Sequence, residues 1–356
     1  MTNPYEKLPQ KSFWRPAIAD RNMLEISELW QPKITISQDN TIATAGSCFA
    51  QHISRALMRN GFSWLDSEPA PAGIPSEIAR DYGYGVFSFR TGNIYTAAAL
   101  RQWVEAAFDV TPLSNEIWES NGRYYDPLRP AIEPNGFSSA EECRALRQHT
   151  LSAMRKTFSE VNLFVFTLGL TECWKNKETG FTYAACPGTL AGTFDTRFHV
   201  FHNQTYNEIL QDIEAAFDLI RRHNKGVKFL LTVSPVPLVA TADKHHVLVS
   251  TTYSKSVLRA VAGDLESVFE DVEYFPSYEI ISTHPFRGSF FMPNQREVST
   301  AGVDFVMRHF FAGLKLSGVD QLESSKDCPK EAPLQRNFEE IDDIRCEEAL
   351  LEAFSK

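Results

Sequence analysis

The 356-residue sequence is notable first for what it does not contain. Its six cysteines (Cys48, Cys143, Cys173, Cys186, Cys328 and Cys346) include no Cys-x-x-Cys pair. Scattered thiols of this kind form no disulfide framework, and their simplest setting is the reducing cytoplasm. Neither Gly-x-Gly-x-x-Gly nor a P-loop occurs, so nothing supports a dinucleotide or nucleoside triphosphate, and no cofactor is expected. A Gly-x-Ser-x-Gly nucleophile elbow is also missing. No apolar run is long enough to span a bilayer, and the N-terminus lacks the charged-then-apolar layout of a secretory signal, so no membrane insertion is expected. Basic residues are in deficit: 35 Lys and Arg stand against 45 Asp and Glu, for a net charge of -10. That balance favours neither nucleic acid nor an anionic membrane surface as a partner.

What is present is core-forming material. Apolar residues make up 43% of the chain and aromatics 12%, values typical of a globular protein. Short apolar runs at 41–46, 162–168, 227–233 and 272–275 alternate with segments of helical period at 95–108, 138–158, 205–223, 253–269 and 300–315. This alternation predicts an α/β fold, a parallel sheet with helices on both faces. Three regions follow: an aromatic-rich arm over 1–40, an α/β domain over 41–317 with loop insertions, and an acidic appendage over 318–356. The stretches 66–93, 109–136 and 175–203 read as irregular.

The organising stretch is Thr41-Ile-Ala-Thr-Ala-Gly-Ser-Cys-Phe-Ala50. It reads as a buried strand turning at Gly46-Ser47 into a helix, with Ser47 as N-cap. A hydroxyl beside unpaired helix-start amides is the pairing that acyl transfer requires: a nucleophile next to donors for an oxyanion. The neighbouring Cys48 is an alternative nucleophile. Parallel sheets bind ligands at the carboxyl ends of their strands, which brings Ser47, Glu172 and Ser234 toward one edge. Glu172 either caps and pairs or transfers protons. Lys255 reads as a surface lysine, or as an anion contact at a helix start. Cys173, Cys186, His199 and His202 are ligand-type residues, but their spacing matches no zinc finger, so no metal is expected; Asn203 serves instead as the cap of the following helix.

The pentapeptide Gly46-Ser-Cys-Phe-Ala50 resembles the namesake motif of the GSCFA-domain family. Blocks at Gly92-Asn-Ile-Tyr-Thr96, Thr167-Leu-Gly-Leu-Thr-Glu172, Ser234-Pro-Val-Pro-Leu238, Tyr253-Ser-Lys-Ser-Val-Leu-Arg259 and Phe275-Pro-Ser-Tyr-Glu-Ile280 extend the resemblance over roughly 40–315. The family is in turn similar to the SGNH/GDSL ester hydrolases, which implies a three-layer α/β/α sandwich on a parallel, flavodoxin-like sheet. This resemblance implies Ser47 as nucleophile. It implies oxyanion or binding roles for Gly92 (or Gly85), Asn93, Gly169 and Thr171. The clan's Asp-x-x-His before the last helix is replaced by Gln295-Arg-Glu-Val-Ser-Thr300, with Glu297 near the His position. Either a base comes from elsewhere, with His246 first and His245, His284 and His202 behind it and with His245 and Asp243 as neighbours to orient or charge His246, or this subgroup does different chemistry. The expected function is a serine-dependent esterase, acyl hydrolase or acyltransferase acting on an acylated carbohydrate or small ester. The alternative is a non-catalytic protein binding a small molecule or carbohydrate on the same fold.

Overall fold

A computed structural model describes residues 3–316 and 347–355. Its regular elements run β1 (Ile42–Gly46), α1 (Ala50–Arg59), α2 (Ser76–Asp81), α3 (Ala97–Ala107), β2 (Trp118–Ser120), β3 (Arg123–Tyr125), α4 (Ala140–Glu160), β4 (Leu163–Leu168), β5 (Glu172–Asn176), β6 (Thr182–Tyr183), β7 (His199–Asn203), α5 (Tyr206–His223), β8 (Lys228–Val233), α6 (Val247–Val268), β9 (Val272–Tyr274), α7 (Ser277–Ser282) and α8 (Thr300–Leu316). The central sheet is parallel throughout, in the order β1-β4-β8-β9. Every residue of β1, β4 and β9 is buried, as expected for strands covered on both faces. Helix α1 packs on β1, and α6 on β8 and β9.

The outer edge of β1 has no full neighbouring strand. Three separate segments satisfy it in turn. At Ile42, Ser63 accepts from the Ile42 amide and Leu65 donates to its carbonyl, both at 2.9 Å. At Thr44, Ser88 accepts through its hydroxyl at 2.9 Å and donates through its amide at 3.1 Å. At Gly46, Ile94 donates to the carbonyl at 2.8 Å. Buried backbone groups must find partners, and here loops supply them. A single parallel bridge, Ile42↔Trp64, lies on this edge outside any strand, so the chain passes to one side of β1 before returning to β4 on the other. This gives a flavodoxin-like order in which β1 and β4 flank the point where strand order reverses.

Several expectations are corrected. The stretch 175–203 is not irregular: it holds most of a three-stranded antiparallel sheet, β6-β5-β7, with Trp174 set edge-on to Phe201 at 5.7 Å. Its strands are short and split by turns, so no alternation of useful length appears in the sequence. Helix α6 begins at Val247 rather than Tyr253, because its first turn carries exposed Leu248 and Val249, which hide the helical period. Helix α5 is capped by Thr205, not Asn203, in a reciprocal capping box with Glu208.

Among the described residues, contacts divide the chain into two units. One draws on the segments up to Ile36 and from Phe275 to residue 316. The other runs from Ser37 to Tyr274 and includes 347–355. In the first unit Trp30 stacks on Phe310 at 5.1 Å and meets Phe275 edge-on at 5.0 Å. Of the expected acidic appendage, 318–346 lies outside the described residues; Glu347–Phe354 is a 3-10 helix.

Gly46 sets how closely β1 and β4 can end. Its φ is +131°, and a Cβ there would fall 2.6 Å from the Thr167 backbone nitrogen and closer still to its carbonyl oxygen. Both clashes are with backbone, which cannot swing away. Gly46→Ala is therefore expected to cost about 3 kcal/mol or more in denaturant unfolding. A near-neutral result would contradict this tight register.

Candidate active site

The site is built where β1 and β4 end. Immediately past β1, the Ser47 amide donates to Thr167 O at 3.0 Å, and Ser47 O accepts from Ala50 N at 2.9 Å. Beyond β4, Gly169 lies directly against Ser47: a Cβ on Gly169 would fall 3.0 Å from Ser47 Cβ and 3.0 Å from Tyr95 O. Tyr95 O accepts from both Gly169 N (3.1 Å) and Leu170 N (2.9 Å). The ends of two strands and the 92–95 loop thus converge on one serine.

Ser47 is 2% exposed, and its Oγ has no hydrogen-bond partner among the described residues. Helix α1 starts only at Ala50, with Phe49 in the N-cap position and no side-chain cap. The capping role expected for Ser47 is therefore corrected: the turn Ser47–Phe49 holds the hydroxyl off the helix start. Thr167 Oγ1, paired in register with Gly46, is also buried without a partner. Each such orphaned hydroxyl costs roughly 1–3 kcal/mol, so its persistence calls for an explanation in function.

The oxyanion candidates fare differently. Gly92 has φ +66°, which suits glycine at the turn, and Asn93 is 5% exposed with Gln51 Nε2 at 3.5 Å from its Oδ1. Gly85 also has positive φ, but a Cβ there would meet open space. Thr171 is committed elsewhere: its amide donates to Ser254 Oγ at 3.1 Å and its hydroxyl to Asn203 Oδ1 at 2.6 Å. Ser234 closes a local turn, accepting from Val236 N at 3.3 Å. The Ser47 amide is likewise occupied, by Thr167 O.

Lys255 is the residue that sequence reading misplaced. It is 1% exposed, and Nζ donates to Gly169 O at 2.7 Å. With Ser254 on Thr171 N, consecutive residues of α6 clamp the turn that backs Ser47. The signal was present: Lys255 shares a helix face with Leu258, Ala262 and Leu265, all buried.

The loop carrying Gly92 and Asn93 is held from behind by buried charge. Glu68 accepts from Arg90 N at 2.7 Å, and Arg129 donates to Arg90 O at 2.6 Å. Thr150 joins the two, donating to Glu68 at 2.8 Å and accepting from Arg129 at 2.7 Å. Asp126 accepts from Arg129 at 3.0 Å and from Arg147 at 2.7 Å. Burial pushes the Asp126 carboxyl up, but the Arg147 and Arg129 guanidiniums outweigh it and hold the group below the usual carboxylate range.

Glu172 is half-buried and accepts from the Thr241 hydroxyl at 2.6 Å. Desolvation raises its pKa, the Thr241 and Ala242 hydrogen bonds partly offset this, and Asp243 adds to the rise. His246 is exposed and caps α6, its Nδ1 accepting from Leu248 N at 3.1 Å. In the neutral ring that bond leaves the proton on Nε2, the wrong tautomer for taking a proton there. His245 is exposed, and His202 Nε2 pairs with Glu208 at 2.8 Å. His284 and Glu297 belong to the other unit, where His284 stacks on Trp14 at 5.4 Å and Glu297 N donates to Asn294 Oδ1 at 3.0 Å. The set Cys173, Cys186, His199 and His202 forms no metal-type cluster among the described residues. His199 and His202 are three apart on β7 and so face opposite sides, while burial raises the Cys173 and Cys186 thiols to about 12 and about 11.

A cavity of about 290 Å³ adjoins these elements. Asn93, Tyr95, Leu170, Glu172, Trp103 and Trp174 are among its lining residues, whereas Ser47 and Gly169 are not. Glu172 is the carboxylate of the lining among the described residues.

The family model described as "GSCFA family" matches residues 41–310. No curated protein matches by sequence. Among solved structures, a carbohydrate esterase family 3 protein from Talaromyces cellulolyticus is 11% identical, covering 78% of this chain and 96% of that one at a TM-score of 0.35. An acetyl esterase mutant solved with acetate ion gives 11%, the same coverages and 0.34. A family two carbohydrate esterase from Clostridium thermocellum gives 10%, 79% and 65%, and 0.31. No helix among the described residues is long and apolar enough to cross a membrane.

The buried network yields a direct expectation. Asp126→Asn leaves Arg129 and Arg147 facing a neutral amide and should cost about 3–5 kcal/mol in denaturant unfolding near neutral pH. Because the folded pKa is depressed, the stability Asp126 contributes is present above its unfolded pKa of about 3.9 and is lost as pH falls through the folded value. The variant should therefore lose less stability than the parent on acidification below about pH 4. An identical acid limb in both proteins would contradict the assignment.

Proposed function

For this chain, which belongs to the GSCFA family, we propose a serine-dependent acyl-ester hydrolase or acyltransferase with Ser47 as nucleophile. The observation that carries the reading is the buried Ser47 hydroxyl, left without a partner among the described residues where β1 and β4 end, with a cavity lined by the neighbouring Asn93, Tyr95 and Leu170. In the proposed reaction Ser47 Oγ attacks the acyl carbonyl carbon and loses its proton through a relaying water to Glu172, which makes no direct hydrogen bond to Ser47. The carbonyl oxygen gains the charge and takes hydrogen bonds from the Asn93 carboxamide on the Gly92 turn. The alcohol departs with the proton, leaving an acyl-serine that water or an acceptor hydroxyl then cleaves. Lys255 holds the Gly169 turn in place behind the nucleophile. His246 acts as the base only after releasing Leu248 N, which requires a different conformation of the α6 start. An acylated sugar or other small ester is the substrate class, and the setting is the cytoplasm.

A second reading, ligand binding without chemistry, is favoured by one observation: no base is hydrogen-bonded to Ser47 Oγ among the described residues. It predicts retained ligand binding with no turnover.

Kinetics separate them. Ser47→Ala should lower kcat on activated esters by on the order of 10⁴–10⁶-fold with folding intact. Full activity in that variant would sink the proposal. Glu172 acts as a base only when ionised, so kcat/KM should fall as pH drops through its raised pKa, above the ordinary value of about 4.3. Glu172→Gln should remove that acid limb and lower kcat by about 10²–10⁴-fold.

A further inference from the structure

We propose that the cavity lined by Asn93, Tyr95, Leu170 and Glu172 is a binding site for an unbranched acyl chain longer than acetyl. The inference rests on the acyl-transfer reading for its chemistry, but its geometry stands separately. The cavity measures about 290 Å³, at the small end of ligand pockets, which run from about 300 to 1,000 Å³. It therefore suits one slender chain better than an oligosaccharide.

The wall points the same way. Trp103, Leu128, Leu170, Trp174, Phe201 and Leu238 supply apolar surface. Tyr95, Leu170 and Leu238 form a single buried cluster, with Val247 packed against it. The polar side chains of the lining are largely committed to the protein itself. Thr241 donates to Glu172, Thr96 accepts from Ala99 N at 3.3 Å, and Thr189 donates to Cys186 O at 2.7 Å. Tyr183 OH donates to Glu116 at 2.8 Å. A buried sugar would leave hydroxyls unpaired against such a wall, at a cost for each. An alkyl chain asks for no partners and gains from leaving water.

The position fits an acyl group of an ester. Asn93, Tyr95 and Leu170 belong both to the cavity wall and to the loops that pack around Ser47 and Gly169. Ser47 and Gly169 do not themselves line the cavity, and the link to them runs through Tyr95 and Leu170, whose backbones are joined beside Gly169. Leu351 and Phe354, from the 3-10 helix Glu347–Phe354, also line the cavity. The chain's own C-terminal segment thus completes the apolar surface.

The test uses the full chain and two readouts. Octanamide, neutral so that it does not oppose Glu172, is titrated by calorimetry into the parent, Ser47→Ala and Ala99→Leu proteins. Ala99 lines the cavity on α3, and leucine there fills space without disturbing a helix. In parallel, kcat/KM is measured on 4-nitrophenyl esters from acetyl to decanoyl. The proposal expects octanamide binding in the parent and in Ser47→Ala, weakened at least tenfold in Ala99→Leu, with acetamide not binding. It expects kcat/KM to rise by about fourfold per methylene until the cavity is full. Ala99→Leu should move that optimum toward shorter chains. Octanamide binding without turnover of any ester supports the chain site while overturning the hydrolase reading. Ester turnover that is best with acetyl, or octanamide binding that ignores Ala99→Leu, overturns the chain site while leaving the hydrolase reading standing.

Discussion

The approach of β1 to β4 at Gly46 is the constraint on which the rest of the site depends. Only a residue without a Cβ can lie against the Thr167 backbone at this φ. Because the strands meet there, the next residue, Ser47, is held by its own amide on Thr167 O. The same close packing is repeated at Gly169, which has room for Ser47 Cβ and Tyr95 O on one side only because it too lacks a side chain. Two glycines at the ends of adjacent parallel strands thus place a serine at the point where strand order reverses, the usual ligand position in such sheets.

The surrounding elements serve that placement. The outer edge of β1 is paired by three loop segments instead of a strand, and the last of them carries Gly92 to Tyr95 to the end of the strand. A buried network of Glu68, Arg129, Asp126 and Arg147 grips Arg90 by both its amide and its carbonyl, two residues before Gly92. Buried ion pairs of this kind add little net stability compared with apolar packing. Their value here is geometric: they fix a loop that has no regular structure of its own. Lys255 performs the matching task from α6 on the other turn.

Much of this was legible in the sequence. The central strands, the parallel α/β order and the importance of Gly46-Ser47 follow from continuous apolar runs and from glycine at a strand end, because both are local properties of the chain. What the sequence hid is what depends on partners far away. Lys255 reads as a solvated lysine until a carbonyl from another element is seen above it. Thr171 reads as an oxyanion donor until Asn203 takes its hydroxyl. His246 reads as a loop base until its Nδ1 is found capping a helix that begins earlier than its exposed first turn suggests. The antiparallel sheet β6-β5-β7 was invisible because its strands are too short to show a period, although its aromatic residues were the hint. Glu172 kept its ambiguity: it is bonded to Thr241, and it also faces the cavity with a raised pKa.

The central claim is that the Ser47 hydroxyl is a nucleophile and not a misplaced cap. The most direct measurement is covalent labelling of the full chain with a fluorophosphonate, followed by intact mass and peptide mapping. One adduct is expected, carried by Ser47 and absent from Ser47→Ala. A protein that stays unlabelled at concentrations that label a control serine esterase, or an adduct mapped to another residue, would contradict it.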